Sequence, residues 1–565
     1  MDDEKRIKQL NAVGDSLKEL RRPYEPHFAD LGDNFMPRRS RFSKGKDGRP
    51  ANAVNSRILN GKPRLALRTL QGGMHAGITS PARPWFRLIP KDDGLRDYAP
   101  VKEHLSAAQR EMRQLLQSSG LYTMLHTMWG DLGLFGYDVA IVEDHAMRGL
   151  HGQALVPGES WIGANASGMI DALYREYRAT VKQQVAKFVY RNDPQNIPDW
   201  SKVDGAVKRA WDNGNHGERM PVRHLIMPRY ARDPNRPTAD NKPVMSVYWD
   251  ERGNIMGDLG YDISPILASR WDAEGTDTYA NSPAMDALGD AKELQRKERD
   301  KAEAIRRMNR PPMNAPNDMR NSPFSLMPEA VNFMTDPSNG MTPAIKVMPP
   351  ISEMREDIRD SEDRIDEAMY ANLFLMISNL DRRQITAREV DERHEEKLLG
   401  LGPVLERQHQ EKLSVIIRRT YNKVVDSGRV PPLPPELAEM GVEIDYISTL
   451  GQAMKAVATG GIERLYGFVG NVSAVDGSVL DNMNNDEATR EYADMVGVPP
   501  NVVRPASEVE DLRKQRADQI KAQQAMDQAQ QMAETAQSGA NASKVLSEAG
   551  QPRGDRDILG ELGLG

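Results

Sequence analysis

Apolar side chains recur at three- and four-residue spacing at Ile7, Leu10, Val13 and Leu17, which predicts a helix ending near Arg22-Pro23, with Pro23 and Pro26 punctuating the chain beyond it. Residues 41–55, rich in Lys, Arg, Gly and Asn, read as a loop. A second helix is predicted over 63–75, before Gly77 and Pro81, and Trp85 to Ile89 alternate as a strand does. Helical periodicity returns over 101–118 and 122–135, and 138–145 reads as a strand between Gly136 and Gly149. Residues 150–270 change character. Short runs at 172–177 and 244–249 predict strands, a helix is predicted over 180–189, and Pro-rich loops separate them, so this stretch reads as α+β.

A different organisation begins at Pro283. Residues 284–310 predict a charge-dense helix of about 39 Å at about 1.5 Å per residue, stopped by Pro311-Pro312. A Pro-rich connector over 311–350 follows. After Pro349-Pro350 a second long helix is predicted, with Ile351, Met354, Ile358 and Ile365 on one stripe and acidic residues over much of the rest. A third runs over 387–425, where Gly400, Gly402 and Pro403 should kink or break it. Residues 440–503 read as short helices and 505–547 as a polar Ala/Gln/Glu-rich helix before a Gly-rich tail. The fold class is α+β, predominantly helical.

At 565 residues the chain exceeds what one hydrophobic core usually organises. Its apolar fraction is 39% and its charged fraction 28%, the balance of long, partly exposed helices. Only 6% of residues are aromatic while 29 are Met, so packing rests on thin, flexible side chains. The absence of Cys removes disulfides, thiolate metal sites and a Cys nucleophile, and fits assembly in the cytoplasm. The longest apolar stretch, around 370–377, is too short to span a bilayer, so no membrane role is expected. The net charge of -7 argues against a protein that coats DNA, because nonspecific affinity comes from Lys and Arg neutralising phosphates.

Candidate chemistry is weak at every point. A phosphate-binding loop needs a Ser or Thr after Gly-Lys, but Gly61-Lys62 is followed by Pro63 and Gly45-Lys46 by Asp47. His394-Glu395-Glu396-Lys397-Leu398 lacks the second His of a zinc-protease helix. Gly158-Glu159-Ser160-Trp161-Ile162 departs from a nucleophile elbow at its last position, so Ser160 reads as structural. The acidic cluster 353–367 is spread around and along a helix, which suits a solvated or channel-lining face better than a two-metal site. Trp85-Phe86 reads as core rather than a base-stacking platform. No catalytic residue, metal or cofactor is expected.

Several segments together resemble the head-to-tail connector (portal) proteins of short-tailed bacteriophages. The N-terminal match runs from Arg64-Leu65-Ala66-Leu67-Arg68 through Gly77-Ile78-Thr79-Ser80-Pro81 to Trp85-Phe86-Arg87-Leu88. Next come Ser269-Arg270-Trp271 and Tyr279-Ala280-Asn281-Ser282-Pro283, where the family more often has Tyr-Gly-Arg-Gly-Pro. The most specific match is central: Met376, Gln384-Ile385-Thr386-Ala387-Arg388-Glu389-Val390, Leu401-Gly402-Pro403-Val404 and Gly428-Arg429-Val430-Pro431. Asp486, Tyr492 and Gly497-Val498-Pro499-Pro500 complete it, over roughly residues 5–510.

The resemblance implies a portal fold built into a dodecameric ring, with a wing (1–283), a first stem helix (284–310), a clip (311–350), a second stem helix (351–378) and a tunnel loop (379–387). A long kinked helix (388–428, kinked at Gly400, Gly402 and Pro403), a crown (429–504) and a helical tail (505–565) follow. On that mapping Asn379, Asp381, Arg382, Arg383 and Gln384 face double-stranded DNA without reading its sequence. Arg382 and Arg383 touch phosphates there, or else pair with Asp381 or a neighbouring copy. Inward-pointing Glu353, Glu356, Asp357, Asp360 and Asp363 would repel phosphates and keep DNA mobile. Implied partners are terminase, then tail adaptor or nozzle proteins, with major capsid and scaffolding proteins around the ring at the head-tail vertex of the virion. The rivals are a tail adaptor or internal virion protein, and a DNA-packaging enzyme subunit.

Overall fold

A computed structural model describes residues 3–37, 39, 58–95, 98–145, 147–193, 195–233, 235–236, 238–317, 320, 325, 341–344, 349–380, 400–474, 476–496, 503–504, 508–526, 528 and 532. They form a mixed structure of helix and strand in two compact units, Met1–Gly460 and Gly461–Gly565. Among the described residues no helix is long and apolar enough to cross a membrane.

The predicted N-terminal helix is present as Asp3–Arg21. The prolines after it start structure rather than end it. Pro26 stands in the first turn of a helix over Glu25–Phe35, where a missing N–H costs nothing, and Phe28, Leu31 and Phe35 of that helix are buried. Helices Lys62–Ile78, Ala99–Ser118 and Leu121–Phe135 follow close to their predicted places and supply much of the main core, with Leu67, Leu70, Met112, Leu125 and Trp129 inaccessible to solvent.

Among the described residues the strands make four sheets. β1 (Phe86–Pro90) pairs with β12 (Val442–Tyr446). β2 (Tyr137–His145) lies between β3 (Gly149–Ala154) and β9 (Ile266–Arg270). β4 (Ser160–Ala164), β5 (Ile170–Thr180), β6 (Arg219–Pro228), β7 (Val244–Trp249) and β8 (Ile255–Tyr261) form an antiparallel sheet in chain order. Its alternation places Tyr174, Leu225 and Val247, neighbours in register, on one face with Leu10 and Leu17 of the first helix. Val222 and Tyr248 take the opposite face, under Val181, Val185 and Phe188 of a helical segment that begins with a capping box between Thr180 and Gln183.

Two expectations need correcting. Residues 440–503 are not all helix, because Val442–Tyr446 is a strand. Its partner lies far back in the chain, and Arg87 and Asp445 form an ion pair of 2.7 Å across the two strands. The helices predicted over 284–310 and 351–378 are each in two pieces, Pro283–Asp286 then Leu288–Asn309, and Ile351–Ala368 then Ala371–Leu380. The second break falls at Tyr370, whose φ is 53°. It turns buried Met369, Leu373 and Phe374 onto the helix Lys62–Ile78, where Phe374 occupies the space a side chain at Gly73 would need. The third predicted helix is described from Gly400 onward, and it breaks at Leu401, where Gly400, Gly402 and Pro403 predict. Leu401 is a turn, Pro403 sits in the first turn of Gly402–Gln408, and a π-turn at His409–Leu413 then leads into Ser414–Asp426.

Of the connector 311–350, the described residues include one antiparallel bridge of two short strands, β10 (Met313–Asn314) and β11 (Thr342–Pro343). In the second unit the helix Asn485–Val496 is tied to residues 508–526 by the Arg513–Asp486 ion pair at 2.6 Å.

Two histidines of the first unit set an acid limit. Burial, helped by nearby His126, lowers the His75 pKa to about 4, and burial lowers that of His409, stacked on Tyr446, to about 4 as well. Unfolded imidazoles bind protons near pH 6.5, so between about pH 6.5 and 4 the unfolded chain holds more protons than the folded one. Stability is therefore expected to fall as pH drops through that window. Melting temperatures of His409→Phe should fall less steeply from pH 7 to 4.5 than those of the parent. Parallel slopes would show that His409 is not a contributor.

Candidate functional site

The helices Leu288–Asn309 and Ile351–Ala368 lie side by side with opposite direction, since Lys297 meets Asp357 at 2.6 Å and Arg364 meets Asp290 at 2.7 Å. Few apolar residues hold them: Leu288, Ala291 and Leu294 are buried on the first, Ile358 and Ile365 on the second. Polar contacts do the rest. Asn60 donates to Glu298 and Glu362, and Gln295 donates to the Asn60 carbonyl. Lys62 pairs with Asp366 at 2.5 Å. Lys297 also donates to Ser361 and pairs with Glu293, and hydrogen bonds to Asp357 and Glu293 raise its pKa against the effect of burial. Toward the distal end Ile305 and Met308 stay 37% and 43% exposed, so that end lacks an apolar partner within the chain's described residues.

The carboxylates predicted for this site are all on the surface. Glu353, Glu356, Asp357, Asp360 and Asp363 are exposed, and only Asp357 among these five has an ion-pair partner within 4 Å among the described residues. Within the cluster 353–367, Glu362 and Asp366 turn to Asn60 and Lys62, on another side of the helix. Glu353, Glu356, Asp360 and Asp363 follow steps of three and four, so they stand in one row on the flank away from Ile358 and Ile365. A row facing one way neither converges on a metal ion nor encircles the helix.

The tunnel-loop candidates are only partly placed. Asn379 lies in the helix Ala371–Leu380 with its side chain outside the described residues, and Asp381, Arg382, Arg383 and Gln384 lie outside them altogether. The helix that follows is anchored by a feature sequence reading missed. In its π-turn Lys412 has no exposure, pairs with Asp138 of β2 at 2.5 Å and stands 3.6 Å from the Trp129 ring centre. Asp138 also accepts from the Ser269 N–H, and the Ser269 hydroxyl, with its one proton, lies within hydrogen-bond distance of both Asp138 and Gln408, at 2.8 and 2.6 Å. Glu411 pairs with Arg270 at 2.5 Å, both nearly inaccessible. Burial pushes the Asp138 pKa up and the Lys412 pKa down, each opposed by the attraction of the other. The π-turn gives these polar residues their inward aim, since the extra residue in the turn shifts the face the helix presents. A charged Lys-Glu pair inside an amphipathic pattern was the available signal.

Ser160, the residue resembling a nucleophile, is buried. Its hydroxyl makes no hydrogen bond and its carbonyl accepts from Arg21 at 2.6 Å, so no base stands ready to activate it. Ser282 donates to the Leu134 carbonyl and accepts from the Met285 N–H, capping the turn into the first long helix.

The family described as "Bacteriophage head to tail connecting protein" matches residues 7–503. Among curated proteins, the "Portal protein" of Salmonella phage epsilon15 is 35% identical over 551 residues, which cover 96% of this chain and 95% of that one. The "Probable portal protein" of Bordetella phage BPP-1 is 36% identical over 525 residues, covering 92% of this chain and 93% of its own.

Proposed function

Because the chain belongs to the family of bacteriophage head to tail connecting proteins, we propose that identical copies close into a dodecameric ring at one vertex of the phage head, through which double-stranded DNA enters and leaves. The observation that carries this reading is the match, end to end, with relatives named as portal proteins. The family is structural, and the chain's work as a phage portal lies in its assembly rather than in catalysis.

The helix pair supports the ring reading. Two long helices with few buried apolar residues, and with Ile305 and Met308 uncovered at one end, need neighbouring copies to cover them, and a head-to-tail contact whose rotation closes is what makes a ring. In that ring residues 1–283 form the wing, the two helices the stem, 311–350 the clip that docks terminase and later tail adaptor or nozzle proteins, and 429–504 the crown. Capsid and scaffolding proteins surround the wing, and assembly takes place in the host cytoplasm. Residues 379–387 face the DNA.

Electron microscopy of the purified chain tests the ring: closed rings with a hole wide enough for duplex DNA are expected, and a folded monomer at all concentrations would return the chain to the adaptor class. For the loop, Arg382→Ala with Arg383→Ala is expected to leave the ring intact and reduce the DNA content of particles. Unchanged genome content would remove the loop from the DNA path.

A further inference from the structure

The outer flanks of the two long helices carry opposite charge. At about 100° per residue, Arg296, Arg299 and Arg306 lie on the flank of Leu288–Asn309 that turns away from Asp290 and Lys297, the residues meeting the other helix. The carboxylate row Glu353, Glu356, Asp360 and Asp363 lies on the flank of Ile351–Ala368 that turns away from the buried Ile358 and Ile365, beside Asp357 and Arg364, which meet the first helix. All seven residues are exposed and none forms an ion pair within 4 Å among the described residues. Like charges three and four residues apart repel, so the carboxylate row is unfavourable until cations stand opposite it.

Two of these arginines also match the carboxylate row in height. Within one chain Lys297 lies level with Asp357 and Arg364 with Asp290. Counting from those pairs in opposite directions along the two helices, Arg299 stands level with residues 355–356 and Arg296 with residue 358, between Glu356 and Asp360. In a ring whose axis runs along the helices, rotation from one copy to the next leaves height unchanged. When the acidic flank of one copy meets the basic flank of the next, Arg299 is therefore opposite Glu356, and Arg296 opposite Glu356 and Asp360, with no slide along the axis.

We propose that the carboxylate row of Ile351–Ala368 docks on the arginine row of Leu288–Asn309 in the next copy of this chain, so that the stem closes by charge pairing between copies. This rests on the ring reading and changes one part of it: the row turns to the neighbour rather than to DNA in the bore.

The test is a charge swap. E356K/D360K sets lysines opposite Arg296 and Arg299, and R296E/R299E sets carboxylates opposite Glu356 and Asp360. Each alone is expected to raise the protein concentration needed for rings about tenfold or more, since like charges then meet. Mixed in equal amounts they are expected to assemble again, as is a chain carrying all four changes. If the unmutated chain forms no rings, the ring reading falls and takes the pairing with it. If it does form rings and each two-site variant assembles as readily, the pairing alone is overturned. Intact assembly with altered DNA content in particles would put the row in the bore and overturn it as well. Should a reversed chain fail to fold, cross-linking decides. The chain has no Cys, so R299C/E356C in one chain is expected to give a disulfide ladder between copies on oxidation. Rings without a ladder would overturn the pairing.

Discussion

Replacing Lys412 by Ala is expected to cost about 3–5 kcal/mol of stability, because it leaves the Asp138 carboxylate buried without a counter-charge. The ammonium is fully enclosed and also lies over the Trp129 ring, so the change removes a charge pair and a cation–π contact in one step and opens a cavity. The pair joins the π-turn helix to β2, and its loss should loosen Gly402–Asp426 from the main core. Thermal melts and hydrogen exchange of that helix measure it. Removing both charges, with Lys412→Met and Asp138→Asn, is expected to recover more than half of the loss, because the largest part is the penalty for the stranded carboxylate. A double variant as unstable as Lys412→Ala would place the effect in packing instead.

Gly136→Ala is expected to be comparably damaging. Gly136 closes the helix Leu121–Phe135 with a φ of 76°, and its carbonyl accepts from the Trp271 N–H at 2.8 Å. A Cβ there would overlap the carbonyl oxygen of Ala280 and press on that of Asn281, both backbone atoms that no rotamer change can move away. The left-handed conformation adds its own penalty, for a total of about 3–5 kcal/mol. Low soluble yield or a strongly reduced melting temperature is the expected result. Gly289→Ala, with nothing within 4 Å and a helical backbone, is the control and should change stability little. Equal behaviour of the two variants would remove the argument from close approach.

Acid sensitivity has a different origin from either. His409 lies in the same π-turn as Lys412, and because burial holds its pKa at about 4, acid below about pH 6.5 favours the opened segment, whose freed imidazole binds a proton, over the closed one that Lys412 anchors. The pH slope of His409→Phe therefore bears on the same helix as Lys412→Ala, from the solvent-linked side.

Taken alone, the sequence determined where most helices lie, because Ile7, Leu10, Val13 and Leu17, or Ile358 and Ile365, repeat with a period that depends only on local geometry. It also determined the family, through stretches such as Leu401-Gly402-Pro403-Val404 and Gly77-Ile78-Thr79-Ser80-Pro81. The row of Glu353, Glu356, Asp360 and Asp363 was legible in its spacing, but the direction it faces was not. That direction is decided by where Lys297, Asn60 and Lys62 attach the helix pair. Only tertiary structure decided that Val442–Tyr446 would be a strand, since five residues declare no period until Phe86–Pro90 lies beside them. It alone set the break at Tyr370, which local propensity opposes and the docking of Phe374 against Gly73 stabilises. The meeting of Asp138 with Lys412 is of the same kind. Two charges so far apart in the chain are ordinary surface residues to any local pattern, and only the closure of the fold takes both out of water and makes each necessary to the other.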